Sequence, residues 1–178
     1  RRQGDPAAAS EWLTRYRDSG GELLKMDPTK LRWQREFVSG HHNLAVLDLD
    51  RGNLGAARSG FVEKLAMTEK MAAANPKDLK LQFSLANTIS FLGTVAECRG
   101  DFSEALERYR DQTSRLEALL ARDPGDMEWR FRLADSMLSQ VDVLAVTGRR
   151  ADARERLTRP RAILETLVAH DSNNGPWL

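Results

Sequence analysis

Two adjacent histidines, His41 and His42, are the side chains best suited to metal or proton chemistry, and Cys98 is the only thiol. Neighbours on a helix point about 100° apart, so the two imidazoles do not share an ion; helical ligand pairs need i and i+4 spacing. The acids that follow, Asp48 and Asp50, fall outside that spacing. The pair reads as one packing imidazole and one groove-facing or solvated imidazole. Cys98 lies between Glu97 and Arg99 with no histidine at useful spacing. A nucleophile needs a base and an orienting group, and here neither is in place. His170 falls at a helix end, where a cation suits the dipole. The stretches "CRGDF" and "SGGEL" do not match a phosphate-cradling loop, and there is no paired-cysteine metal pattern. The expectation is no enzyme, no metal and no cofactor. A helical metal-dependent hydrolase built on His41, His42 and nearby acids is carried as the third alternative.

Composition points the same way. In 178 residues, 27 Lys+Arg stand against 26 Asp+Glu, with 41% hydrophobic and 30% charged. The balance gives no electrostatic footprint for nucleic acid or a membrane surface, so neither is expected as a partner. Apolar runs are broken every few residues by charge, which rules out a spanning helix among them. No secretory leader is visible at Arg1-Arg2-Gln3-Gly4 and one cysteine makes no disulfide framework, so the expected compartment is the cytoplasm. The arginines of Gly148-Arg149-Arg150 and Arg154-Glu155-Arg156 read as a solvated edge. Trp33, Trp129 and Trp177 could stack bases, but they recur at one register, which favours packing.

That register runs through the chain. Asp27-Pro28, Asn75-Pro76 and Asp123-Pro124 are spaced by 48 residues, and Asp171-Ser172 follows at the same interval. Gly4, Gly52, Gly100 and Gly148 keep the beat, as do Ala9, Ala57, Ala105 and Ala153. Leu13, Phe61, Tyr109 and Leu157 form another column, and Trp33, Leu81, Trp129 and Trp177 a further one. A fixed period of this size marks a helical array or solenoid.

Each unit reads as two helices. The first is expected to begin at the Asp/Asn-Pro pair, with proline in the first turn and Asp78 and Asp126 adding favourable charge there. In the middle unit Leu81, Leu85, Ile89, Leu92, Val95 and Ala96 recur by threes and fours. Gly100 ends that helix, and Asp101 caps the next, with Glu104 completing a capping box. Phe102, Ala105, Leu106, Tyr109, Leu116, Leu119 and Leu120 make its apolar face. Arg99-Gly100-Asp101 spells an adhesion signal in isolation, yet it fills the slot of Arg51-Gly52-Asn53 and Thr147-Gly148-Arg149 and reads as a cap, a turn and a cap. Each helix should hold about 20 residues, roughly 30 Å. Ser19-Gly20-Gly21 should fray or bend the opening helix. Pro160 should kink the last one near Arg159.

At Leu92-Gly93, Ala96, Gly100, Phe102, Ala105 and Tyr109 the chain resembles the tetratricopeptide repeat family. Leu44-Ala45, Gly52, Leu54, Ala57 and Phe61 carry the pattern in the preceding unit. Gln140-Val141, Leu144, Gly148, Arg150, Ala153 and Leu157 carry a degenerate version. The family period is about 34 residues. Here it is 48, about seven more per helix, close to two turns, so the packing face is kept. The units look like those of long-helix bacterial arrays within larger signalling proteins. The resemblance implies an all-α, right-handed α-solenoid of antiparallel helix pairs, about seven helices in a single array. Its parts are a second helix of a truncated unit (1–26), three repeats (27–74, 75–122 and 123–170) and the start of a further unit (171–178). An internal piece of a longer array is expected.

The resemblance further implies that first helices line a concave face for a peptide or helix of a partner protein. Carried over, the groove positions are Ser39, His42 and Asn43, then Asn87, Ser90 and Thr94, then Asp135, Ser139 and Asp142. One turn earlier, Arg35, Phe83 and Phe131 should face the same way. Serine and asparagine suit a peptide backbone and phenylalanine offers an apolar anchor. Acidic residues in the third set favour a basic or mixed peptide. The expected function is a protein-interaction scaffold. The alternative is a self-association or spacer module of a bacterial sensor, driven by exposed array ends.

Overall fold

The computed structural model describes residues 6–172, 174 and 175; Gly4 and Trp177 of the repeating columns lie outside them. Eight helical elements follow in order: α1 Pro6–Met26, α2 Leu31–Asp50, α3 Leu54–Ala74, α4 Leu79–Cys98, α5 Phe102–Leu120, α6 Met127–Val146, α7 Arg150–Arg156 and α8 Thr158–His170. The described residues contain no strand. Short connections turn α2 back along α1, α3 along α2 and α6 along α5 as antiparallel pairs, while α7 and α8 both pack on α6. α2 through α6 hold 19 to 21 residues each, as the period requires.

The connections explain the register. After α2, α4 and α6, glycine takes a left-handed φ: 74° at Gly52, 77° at Gly100 and 81° at Gly148. The Gly100 N–H donates to Glu97 O and the Asp101 N–H to Ala96 O, both 2.9 Å, closing a Schellman turn. The other two glycines repeat it. Asp101 Oδ1 then accepts from the Glu104 N–H at 3.1 Å. Glu104 does not complete the capping box, because the Asp101 N–H is already spent in the turn. Its carboxylate takes Arg108 instead, at 3.1 Å.

The Asp/Asn-Pro pairs do not open helices. Each sits in a β-turn, closed by Lys30 N–H to Asp27 O, Asp78 N–H to Asn75 O and Asp126 N–H to Asp123 O. Proline's locked φ suits the second turn position, and the helices start three residues later. The capping residues are therefore Asp78, accepting from Lys80 and Leu81 N–H, and Asp126, accepting from Trp129 N–H at 2.8 Å. Lys30 holds the same position without a side-chain cap, its ammonium 4.1 Å from the Trp33 ring centre.

The chain forms two compact units, Arg1–Leu81 and Gln82–Leu178. In the first, α1 is helical straight through Ser19-Gly20-Gly21. The glycines allow close approach: a Cβ on Gly20 would lie 3.0 Å from Phe37 Cα, and one on Gly40 only 2.6 Å from Arg17 Cα. Packing against α2 holds the segment that propensity alone would loosen. Phe61, Ala57 and Ala45 are buried in the core of this unit.

In the second unit Leu116, Leu144 and Leu167 are fully buried, and Ala96, Ala105, Tyr109 and Val143 share a cluster. The last helix breaks at Leu157 rather than kinking near Arg159. Pro160 has no N–H to give Arg156 O and its ring crowds that carbonyl, so the fault falls one turn before the proline. Pro160 itself is buried. Leu157 departs from its column, being 40% exposed where Phe61 and Tyr109 are covered.

Candidate functional site

On α2, a regular helix with one buried stripe through Val38 and Ala45, Ser39 is exposed and Asn43 half-buried. Arg35 reaches the capping carboxylate of Asp78 and forms an ion pair with it. His42 faces α3: its ring centre is 6.0 Å from that of Phe61 and its Nδ1 is 3.4 Å from Lys64 Nζ. Burial, and then the Lys64 charge, hold His42 down at about 4. Lys64 is only 4% exposed, and burial lowers it to about 8. His41 stacks edge-on against Phe37 and sits 3.3 Å from Glu63. Its pKa is lowered, by burial first, with Glu63 opposing and Arg17 adding to the fall. The two histidines thus serve the α2–α3 contact, and no cluster of three or more His, Cys, Asp or Glu able to hold a metal exists among the described residues. That Lys64 lies inside was not legible, because lysine carries no apolar signal in a periodicity count.

In the second unit Phe83 stacks on Trp129, ring centres 6.1 Å apart at 29°, which brings the starts of α4 and α6 together. The Trp129 packing role read from its register is the one observed. Asn87 and Ser90 are half-buried on α4. The Thr94 hydroxyl donates to Ser90 O at 3.3 Å and lies 3.4 Å from the Tyr109 hydroxyl. Tyr109 OH also donates to Glu97 at 2.9 Å, and burial above all raises its pKa. Thr94 is therefore engaged with α5.

On α6, Phe131 is half-buried with the Arg132 guanidinium 5.8 Å from its ring centre. Asp135 and Asp142 are exposed, and Ser139 donates to Asp135 O at 3.1 Å. Partial desolvation of the carboxylate by its surroundings raises the Asp135 pKa, against the pull of Arg132. Arg132 itself pairs with Glu128 at 3.6 Å. The opposite side of α6 is a buried polar seam. Ser136 and Gln140 donate to Tyr109 O at 2.9 and 3.3 Å, and Gln140 donates to Thr113 Oγ1 at 2.8 Å.

The sequence model of the tetratricopeptide repeat family matches residues 38–59, from the middle of α2 across the Gly52 turn into α3. No curated protein matches the chain. Four solved chains do. Among them is the crystal structure of BtubC (BKLC) from P. vanneervenii, with a TM-score of 0.64 and 17% identity, the match covering 95% of this chain and 59% of that one. The chain thus spans less than two thirds of this neighbour, and the likeness is one of fold. Both findings agree with an all-helical repeat protein of tetratricopeptide type.

Proposed function

We propose that the chain is a protein-interaction scaffold in which the outer faces of α4 and α6 receive a basic or mixed peptide. One observation carries this reading. Asp135 and Asp142 stand exposed, with Ser139 between them and Phe131 one turn earlier, and among the described residues neither carboxylate is in an ion pair. Free carboxylates beside an aromatic ring suit a segment bearing Lys or Arg and one apolar side chain. A bound cation would also relieve the raised Asp135. Asn87 and Ser90 would meet the peptide backbone, and on the first unit Ser39 and Asn43 offer the same chemistry. Arg35, His42 and Thr94 are engaged within the fold and would contribute by shaping the surface.

The test is selection from an immobilised random dodecapeptide library. Lys- or Arg-containing peptides should be enriched, and changing Asp135 and Asp142 together to Asn should remove that preference. The pair Asn87→Ala and Phe131→Ala should abolish capture with helicity by circular dichroism unchanged. Enrichment of acidic peptides, or capture that survives the second pair, would sink the assignment.

A further inference from the structure

The contact between α2 and α3 has a register that carries beyond its histidines. His41 lies 3.3 Å from Glu63, and a Cβ on Gly60 would lie 2.8 Å from that of Ala45. Numbers fall on one helix as they rise on the other. Seven residues make about two turns and return to the same face. Seven back from His41 on α2 and seven on from Glu63 on α3, Gln34 therefore comes opposite Lys70. There the first unit holds a cavity of about 240 Å³, lined by Gln34 and Lys70 together with apolar residues of α1, α2 and α3. Its polarity is graded. Val38 and Met71, each 6% exposed, form the floor. Leu24, Phe37 and Met67 are half-buried walls, and Lys70 is exposed at the rim. Gln34 Nε2 donates to Pro28 O at 2.8 Å, which fixes the amide and leaves its second N–H for another acceptor. Among the described residues the Lys70 ammonium is in no ion pair.

We propose that this cavity binds a small amphiphilic carboxylate, its aliphatic chain on Val38 and Met71 and its head group on Lys70 and Gln34. Charge complementarity selects the head. An ammonium and an amide N–H at the rim of an apolar recess are matched by an anion with two acceptor oxygens. Volume selects the tail. An apolar cavity of about 150 Å³ takes benzene, so this one takes about ten non-hydrogen atoms, the size of octanoate. The thioethers of Met67 and Met71 let the recess adapt to a straight chain. No protein side chain carries a carboxylate at the end of so long an aliphatic chain, so the occupant is a free small molecule. The second unit does not repeat the site. One period on, Lys70 becomes Ala118, and Met67 becomes Arg115, which pairs with Asp111. The cavity is separate from the faces of α4 and α6, and its ligand is independent of any peptide held there.

The probe is sodium octanoate, titrated into the full chain well below its micelle concentration and followed by the methionine methyl resonances. Saturable one-to-one binding is expected, with Met67 and Met71 shifting while Met127 and Met137 of the second unit stay still. Octan-1-ol, which fits the recess but lacks the charge, should bind several-fold more weakly. Lys70→Gln should lower octanoate to the affinity of the alcohol and leave the alcohol unchanged. Butanoate and dodecanoate should both bind more weakly than octanoate. Met67→Trp, filling the recess from a half-buried wall, should abolish binding. Leu24→Trp should do the same from α1 if the first variant loses helicity. No saturation at millimolar octanoate, affinity that climbs steadily with chain length, or equal binding of acid and alcohol would overturn the proposal. So would a tripeptide ending in phenylalanine with a free carboxylate that displaces octanoate at far lower concentration, since a peptide C-terminus would then be the occupant.

Discussion

Lys64 is an ammonium placed among buried groups with an imidazole, not a carboxylate, as its near neighbour. Its folded pKa of about 8 lies below the model-peptide value of 10.5. The folded state therefore holds fewer protons than the unfolded chain between those values, and stability rises with pH across them. The burial penalty is fully present below pH 8, on the order of 3 kcal/mol. Lys64→Met should raise the melting temperature at pH 7 and flatten the rise between pH 8 and 10.5. Thermal denaturation of both proteins across that range checks it; an unchanged slope would mean the amine reaches water. His42 works in the same direction at lower pH, with stability lost as pH falls from 6.5 towards 4.

At the scale of elements, the glycine turns were legible, whereas the Asp/Asn-Pro turns, read as helix starts, and the crossings were not. The Schellman glycines depend on neighbours a few residues away, which a period of 48 displays three times over, and the Asp101 cap, made in one unit only, is written in the next three residues. The crossing of α1 and α2 depends on two glycines that read locally as weaknesses. Gly40 shows the contrast. Alanine there gains about 1 kcal/mol in helix propensity. Its Cβ would meet Arg17 Cα at 2.6 Å, so backbone must move. Overpacking of that kind costs about 1–3 kcal/mol and should win. Gly40→Ala is expected to lower the midpoint of urea unfolding, whereas Gly55→Ala, with nothing within 4 Å, should not. Equal effects would place the cause in the turn or the unfolded chain rather than the crossing.

For the whole molecule, repeat architecture makes stability a sum of local and nearest-neighbour terms. The two units each hold their own contacts. Gly40→Ala should therefore speed hydrogen exchange in α1 and α2 while the amides of Leu116, Leu144 and Leu167 keep their protection. Uniform acceleration across the chain would indicate one cooperative unit instead.

The sequence alone established the all-helical hairpins, their lengths, the glycine turns and the packing role of Trp129. These follow from periodicity and capping, which act within one or two turns and so are written in adjacent residues. Tertiary structure decided which polar side chains are engaged within the fold: Arg35 on Asp78, His42 beside Lys64, Thr94 beside Tyr109, and Ser136 and Gln140 on a carbonyl of α5. It also decided that Asp135, Asp142 and Leu157 remain outside. The reason is geometric. A helix has a continuous circumference, and only the neighbours that pack on it determine how much of that circumference is left to meet anything else.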